Sequence, residues 1–205
     1  MKPILIAVVG GSASGKTTLA RDLARALRPS ANLLSQDAFY LDAAHLPPAR
    51  RARLNFDHPR RIDWPLLSSV LDEALQGRPV SIPRYSFEAH ARETATDRLS
   101  PKRFLIAEGL WLLARRDIRS RCDLGIFVAC PSSERLRRRL DRDTTERGRT
   151  RSQVLRQWRG HTEPGFHRFV APQLNLAHEV LRSPVAAPQV ADLARRIRTL
   201  AEHQP

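Results

Sequence analysis

The stretch VVGGSASGKTTLA, Val8 to Ala20, decides how the rest of this sequence is read. An apolar run stops at two glycines, small and hydroxylated residues follow, and then come a lysine and two threonines. Lys16 is one of three lysines, with Lys2 and Lys102, in a chain of 35 Lys and Arg side chains. Upstream, Ile4–Val9 is a short apolar run of the kind shown by a parallel strand buried on both faces. Downstream, Thr17–Leu27 predicts a helix, with Leu19, Leu23 and Leu27 at i, i+4 and i+8 and Pro29 just past its end. Between them lies G-x-x-x-x-G-K-T, filled by Gly10, Gly15, Lys16 and Thr17. Gly10 and Gly15 let the backbone take conformations that a side chain would block, so that consecutive N–H groups point into one concavity. The helix N-terminus behind them adds unpaired donors and a partial positive charge. Such a loop suits the phosphates of a nucleotide. Its candidate binding set is Gly10, Gly11, Ser12, Ala13, Ser14, Gly15, Lys16, Thr17 and Thr18, with Lys16 reaching the terminal phosphates and the Thr17 hydroxyl ligating Mg²⁺.

At 205 residues, with 41% hydrophobic and 27% charged residues, the chain reads as one globular domain over 1–205. No apolar run approaches the ~20 residues of a membrane span. Lys2 with Ile4–Val9 is too short for a signal segment and leads straight into the phosphate loop. Cys122 and Cys130 lie at the ends of an apolar run without metal-ligand spacing, so reduced, structural cysteines and a cytoplasmic location are expected. The net charge of +14 fits either a nucleic-acid binder or a protein whose ligands are polyphosphates. The arginines are spread along the chain rather than gathered in a tail, which disfavours nucleic acid.

Further strands are expected at Asn32–Ser35, Val80–Ile82, Phe104–Ala107, Leu124–Ala129 and Val180–Leu181. Residues 41–61 read as irregular, and Pro83–Arg92 as a hairpin or loop. A helix over Trp64–Gln76 has Asp63 as N-cap, Pro65 in its first turn and Gly77 as its stop, with Leu67, Val70, Leu71 and Leu75 inward. Other helices are expected from Ser132 to about Thr144, over Ser152–Arg159, and over Pro188–Glu202 with Val190, Leu193, Ile197 and Leu200 inward. Strands alternating with helices predict an α/β fold of the P-loop NTPase type, in three layers with a parallel sheet flanked by helices. Ligands of such sheets bind beyond the carboxyl ends of the strands, where Gly10, Asp37 and Glu108 fall.

Phosphoryl transfer requires positioning, charge neutralisation and an acceptor for the nucleophile's proton. SQDAFY (Ser35–Tyr40) puts Asp37 at a strand end as candidate general base or magnesium-site residue, and RFLIAEG (Arg103–Gly109) ends in Glu108, the acidic partner of the phosphate loop. Residues 134–149 carry seven arginines interleaved with Glu134, Asp141, Asp143 and Glu146, a pattern that by itself describes a solvated, salt-bridged helix.

Taken in order, GGSASGKT, SQDAFY, NFDHP (Asn55–Pro59), PRYSFEAHAR (Pro83–Arg92), AEG (Ala107–Gly109) and RRLDRDTTERGR (Arg138–Arg149) resemble the motifs of the uridine/cytidine kinases. The likeness runs from about residue 4 to 181. It implies ATP or GTP as phosphate donor, Mg²⁺, a pyrimidine nucleoside as acceptor, and a homo-oligomer as one assembly. It also implies a small substrate region at the hairpin and an arginine-rich lid over about 138–152. Asp37 would deprotonate the 5′-hydroxyl, with Thr17, Asp37 and Glu108 around the metal. Asp57, assisted by Arg149, would bind the ribose hydroxyls. Tyr85 and His90 would read the base, Phe87 would wall the pocket, and Arg139 and Gln157 would lie on the substrate side. Arg142 and Arg147 would close on the triphosphate, leaving Arg135 and Arg137 as surface residues. Where the family commonly has Asp after the tyrosine, this chain has Ser86, a neutral hydroxyl that donates as well as accepts. Other small-molecule kinases of the same architecture, acting on nicotinamide riboside, pantothenate or ribulose phosphate, form the nearest alternative. A nucleotide-regulated RNA-binding protein is the alternative of another class, and it would show steep salt dependence.

Overall fold

Every residue of the strand Ile4–Gly10 is buried, and its side chains alternate between two separate cores. Leu5, Ala7 and Val9 enter one core and Ile4, Ile6 and Val8 the other, which explains why the run is apolar throughout rather than alternating. A computed structural model describes residues 2–51 and 54–202. Along the chain the strands are β1 (Ile4–Gly10), β2 (Ala31–Ser35), β3 (Val80–Ser86), β4 (Ala91–Leu99), β5 (Phe104–Gly109), β6 (Leu124–Ala129) and β7 (Glu179–Arg182). The α-helices are α1 (Lys16–Ala26), α2 (Pro48–Arg51), α3 (Trp64–Leu75), α4 (Arg116–Arg119), α5 (Ser132–Thr145), α6 (Arg151–Gln157), α7 (Glu163–Gly165) and α8 (Ala187–Glu202). Five strands form one parallel sheet in the order β2-β5-β1-β6-β7. Leu19 and Leu23 of α1 and Val190, Leu193 and Ile197 of α8 cover one face, while Leu67, Val70 and Leu71 of α3 join the core on the other. This is the three-layer α/β architecture that the sequence pattern predicts.

The parallel register brings Ser35, Glu108 and Val8 level across three strands, and Gly10 beside Val128. The carboxyl ends of β1, β2 and β5 therefore gather the phosphate loop, Asp37 and Glu108 at one edge of the sheet. The helix expected over Trp64–Gln76 forms with its cap in place: the Asp63 carboxylate accepts the Leu66 N–H at 3.1 Å, and Gly77 follows with φ +73°.

Three expectations need correction. Leu200 is 42% exposed, and Ala201 takes its place in the buried stripe of α8, because the spacing runs 190, 193, 194, 197, 201 and the small alanine hides the phase. The hairpin is longer than Pro83–Arg92: β3 and β4 pair antiparallel from Val80↔Leu99 to Ser86↔Ala91, with a register shift between Pro83 and Tyr85. ARETATDRL of β4 buries no side chain, so hydrophobic periodicity could not announce it. Arg135 is a buried residue with 1% exposure, not a surface one; Arg137 does lie on the surface. In the segment read as irregular, α2 and a 3₁₀ turn at Pro59–Arg61 form, while residues 52–53 lie outside the described residues.

Candidate active site

The phosphate loop is shaped by what its glycines lack. A Cβ on Gly10 would lie 2.6 Å from Ser14 Oγ and 2.8 Å from the Val128 carbonyl oxygen, and Gly15 opens α1 at φ +95°. Beyond the loop lies a cavity of ≈ 790 Å³ whose walls include Ala13, Gly15, Lys16, Thr17, Thr18, Asp37 and Glu108. Gly10, Gly11 and Ser14 of the loop do not line this cavity, and Ser12 faces a second, smaller cavity. Arg138, anchored to Ser183 Oγ at 2.8 Å, and the Ser183–Val185 turn also line the large cavity. Sequence reasoning missed both.

Glu108 is 3% exposed and accepts from Ser35 Oγ at 2.6 Å and Thr17 Oγ1 at 3.0 Å, with Lys16 Nζ at 3.8 Å. Asp37 follows on the 3₁₀ turn after β2, its amide donating to Ser35 Oγ at 3.3 Å. Burial and the Glu108 carboxylate push the Asp37 pKa up, against the pull of Lys16, Arg147 and Arg142. Among the described residues no group of three or more His, Cys, Asp or Glu side chains is arranged to hold a metal. One hydroxyl and two carboxylates are nevertheless hard oxygen donors of the kind that share Mg²⁺ with nucleotide phosphates, so the residues present fit that ion.

The second cavity, ≈ 60 Å³, is walled by Tyr40, Phe56, Asp57, His90, Arg139, Arg149 and Gln157, and shares Lys16, Asp37, Phe87, Arg142 and Arg147 with the first. Asp57 is set by its own turn, its amide donating to Asn55 Oδ1 at 2.9 Å. Its carboxylate accepts from Thr162 Oγ1 at 2.7 Å and pairs with Arg139 at 3.3 Å. Thr162 comes from a wide π-type turn, Trp158–Thr162, that continues α6 past the helix expected over Ser152–Arg159. Arg149 lines the same cavity as Asp57 and is held there by donating to Gln157 Oε1 at 2.7 Å and pairing with Asp143 at 3.4 Å, while Arg139 is the cation on the Asp57 carboxylate. Gln157 Oε1 also accepts from Arg139, at 2.9 Å.

His90, at φ +50° on the hairpin, stacks on Phe56 with ring centroids 4.5 Å apart. Burial, with Arg149, Arg51 and Arg61 nearby, holds its pKa below the usual histidine value, so the ring is neutral at pH 7. Tyr85 is not on the cavity wall; it packs behind Tyr40 and Phe87 at 5.3 and 5.5 Å. Burial above all pushes its phenol up to about 12. Tyr85 Oη and His90 Nδ1 are buried without a hydrogen-bond partner among the described residues. Ser86 does not enter the site and instead accepts the Ala89 N–H at 3.1 Å, closing the hairpin turn.

The face of α5 turned to the site is the largest departure from the solvated helix that its composition describes. Arg135, Arg139 and Asp143, spaced i, i+4 and i+8, are all buried, whereas Arg137 pairs on the outer face with Glu134 and Asp141. Arg135 lies 3.9 Å over the Phe166 ring and pairs with Glu163 at 2.9 Å. Its guanidinium also stands 3.0 Å from where a Gly11 Cβ would be, bracing the phosphate loop from behind. Asp143 is 0% exposed and unanticipated in any role. The signal was the four-residue spacing, hidden in a run where nearly every residue is charged.

Cys122 and Cys130 are free, and burial pushes the Cys122 thiol up to about 12. Among the described residues no helix is long and apolar enough to cross a membrane.

The phosphoribulokinase / uridine kinase family model matches residues 5–187. A uridine kinase of Lactobacillus helveticus is 36% identical over 173 residues, covering 83% of this chain and 82% of its own. A uridine kinase of Deinococcus deserti is 36% identical over 201 residues, 97% of each chain. Among solved structures, phosphoribulokinase from Rhodobacter spheroides superposes with TM-score 0.63 at 18% identity, over 93% of this chain and 74% of that one, a likeness of fold. With a phosphate loop, an acidic pair and an arginine-lined cavity at one edge of a parallel sheet, the chain belongs to the phosphoribulokinase / uridine kinase family of P-loop kinases.

Proposed function

We propose that this kinase transfers the γ-phosphate of ATP, or GTP, to the 5′-hydroxyl of uridine or cytidine. The observation that carries the reading is the shared wall. Lys16, Asp37, Phe87, Arg142 and Arg147 border both the nucleotide-sized cavity and the small one, so a phosphate held in the first meets a hydroxyl held in the second beside the same five side chains. Asp37, its pKa raised, accepts the hydroxyl proton; Lys16, Arg142 and Arg147 offset the charge on the transferring group. Thr17, Asp37 and Glu108 would hold Mg²⁺, whose positive charge would help offset that of the phosphates. Asp57 takes the ribose hydroxyls by exchanging its contacts to Arg139 and Thr162, while Phe56, Phe87 and neutral His90 wall the base. The curated relatives named uridine kinase support this acceptor over the sugar phosphate of the structural neighbour.

The test is a panel of nucleosides, pantothenate and ribulose phosphate incubated with ATP or GTP and Mg²⁺, with products identified by mass. Uridine and cytidine should give monophosphates, and salt should act weakly. Turnover of a sugar phosphate with none of a nucleoside overturns the assignment.

A further inference from the structure

Asp143 is buried to 0% exposure with four guanidinium groups around its carboxylate. Arg142 approaches to 2.8 Å, Arg139 and Arg149 to 3.4 Å each, and Arg147 to 3.7 Å. The Arg149 N–H also donates to the Asp143 carbonyl at 3.0 Å, fastening the loop after α5 to the same residue. All four arginines line the small cavity, but Asp143 lines neither cavity. Surface pairs on the same helix look different: Arg137 is 62% exposed and lies against the two acids of its own face, Glu134 and Asp141. Asp143, with Asp57 on Arg139, sets two anions among four cations and does not neutralise the cluster. It gathers the arginines and leaves an excess of positive charge facing the site.

Three of the four have further contacts on the site side. Arg139 reaches Ser12, Asp57 and Gln157; Arg149 reaches Gln157; Arg147 lies 4.7 Å over the Phe87 ring. Without a shared counter-ion these long side chains would repel one another and regain rotamer freedom, and a charge array helps a transition state only when it is already in place. We propose that Asp143 is a positioning residue, which presets Arg139, Arg142, Arg147 and Arg149 around the reacting groups before the substrates arrive. The inference rests on the kinase reading of this site but not on the identity of the acceptor. A triphosphate would supply the remaining negative charge, so the lid is held half-neutralised until a nucleotide completes it.

The test compares Asp143→Asn and Asp143→Glu with the parent enzyme, using whichever acceptor the panel identifies, or slow hydrolysis of Mg·ATP if there is none. Failure of the nucleoside assignment thus leaves this test intact. Asn keeps the shape and removes the charge; misplaced catalytic groups cost on the order of 100-fold, and kcat should fall by about that much. The KM for ATP should change by less than about 3-fold, because the backbone cradle of the loop is untouched. In an Arg142→Gln/Arg147→Gln background the same change should cost at most about 3-fold more, since most of what it positions is already gone. Glu keeps the buried charge but moves it by one methylene, about 1.5 Å. If Asn does not fold, a kcat loss of roughly 10-fold or more in Glu, with the thermal midpoint retained, still supports positioning. Wild-type kcat in either folded variant, or a full additive loss in the arginine-deficient background, overturns the proposal.

Discussion

On the proposed donor side, the cavity is built around one contiguous stretch, Ala13–Thr18, to which Asp37, Glu108, Arg138 and the Ser183–Val185 turn are added. On the acceptor side the lining groups are side chains drawn from across the sequence: Arg139 meets Ser12 from 127 positions away and Asp57 from 82. The first region owes its shape to missing Cβ atoms and to the start of a helix. The second is held by charges paired with one another, which in the proposed reading exchange protein partners for the substrate. Side chains of this kind can be exchanged without rebuilding the loop that forms the first region. Changes on the donor side should stop the chemistry, whereas changes on the acceptor side should alter which molecule reacts.

The largest effect is expected where the two regions meet. Asp37→Asn keeps the shape but cannot take the hydroxyl proton, and kcat should fall by on the order of 10²–10⁴ with smaller changes in both KM values. A change confined to KM would make Asp37 a binding residue and leave the border without its base.

Lys16→Ala removes the donor loop's cation beside Glu108. Such electrostatic contributions are typically ~3–4 kcal/mol, so kcat should drop by roughly a few hundred-fold for every acceptor in the panel alike. A loss that differs between uridine and cytidine would blur the division between the two regions.

Asp57 tests the acceptor side alone. A 2′-deoxynucleoside leaves polar groups around Asp57 unpaired, so ribose should be preferred by at least ~10-fold in kcat/KM, equivalent to about 1.4 kcal/mol. Asp57→Ala should erase most of that preference and leave ATP binding nearly unchanged. Equal treatment of ribose and deoxyribose by the parent enzyme would remove the ribose role from Asp57.

The same contrast explains what was legible in the sequence. The phosphate loop, the capped helix at Trp64 and the strand ends at Asp37 and Glu108 follow from local spacing, which periodicity and turn chemistry report directly. The acceptor region is written in contacts that no window of sequence contains. Arg139 pairs with Asp57, Thr162 arrives through a widened helical turn, and Tyr85, expected to read the base, packs behind Tyr40 and Phe87. In α5, helical spacing was present but silent, because Arg135, Arg139 and Asp143 are buried by pairing rather than by being apolar. Leu200 failed for the opposite reason: it is apolar but one residue out of phase.

The smallest effect concerns how the acceptor wall is fastened. Arg92 of β4 donates to the Tyr40 carbonyl at 3.0 Å and pairs with Asp63 at 3.0 Å, so one guanidinium ties the hairpin, the segment after β2 and the start of α3 together. Asp63 serves twice, since its other oxygen caps α3 at Leu66 N. Asp63→Asn separates the two jobs: asparagine caps about as well as aspartate, so only the negative charge facing Arg92 is lost. Both side chains of the pair are 23% exposed, and solvent screening keeps the expected destabilisation below about 1 kcal/mol in urea unfolding. Asp63→Ala loses the cap as well and should cost about 1 kcal/mol more. If the pair fastens the wall, Asp63→Asn should raise the acceptor KM by about 2- to 3-fold and leave the ATP KM unmoved. Equal shifts in both KM values would mean that the donor cradle and the acceptor wall move as one body, and that the division drawn between them is too sharp.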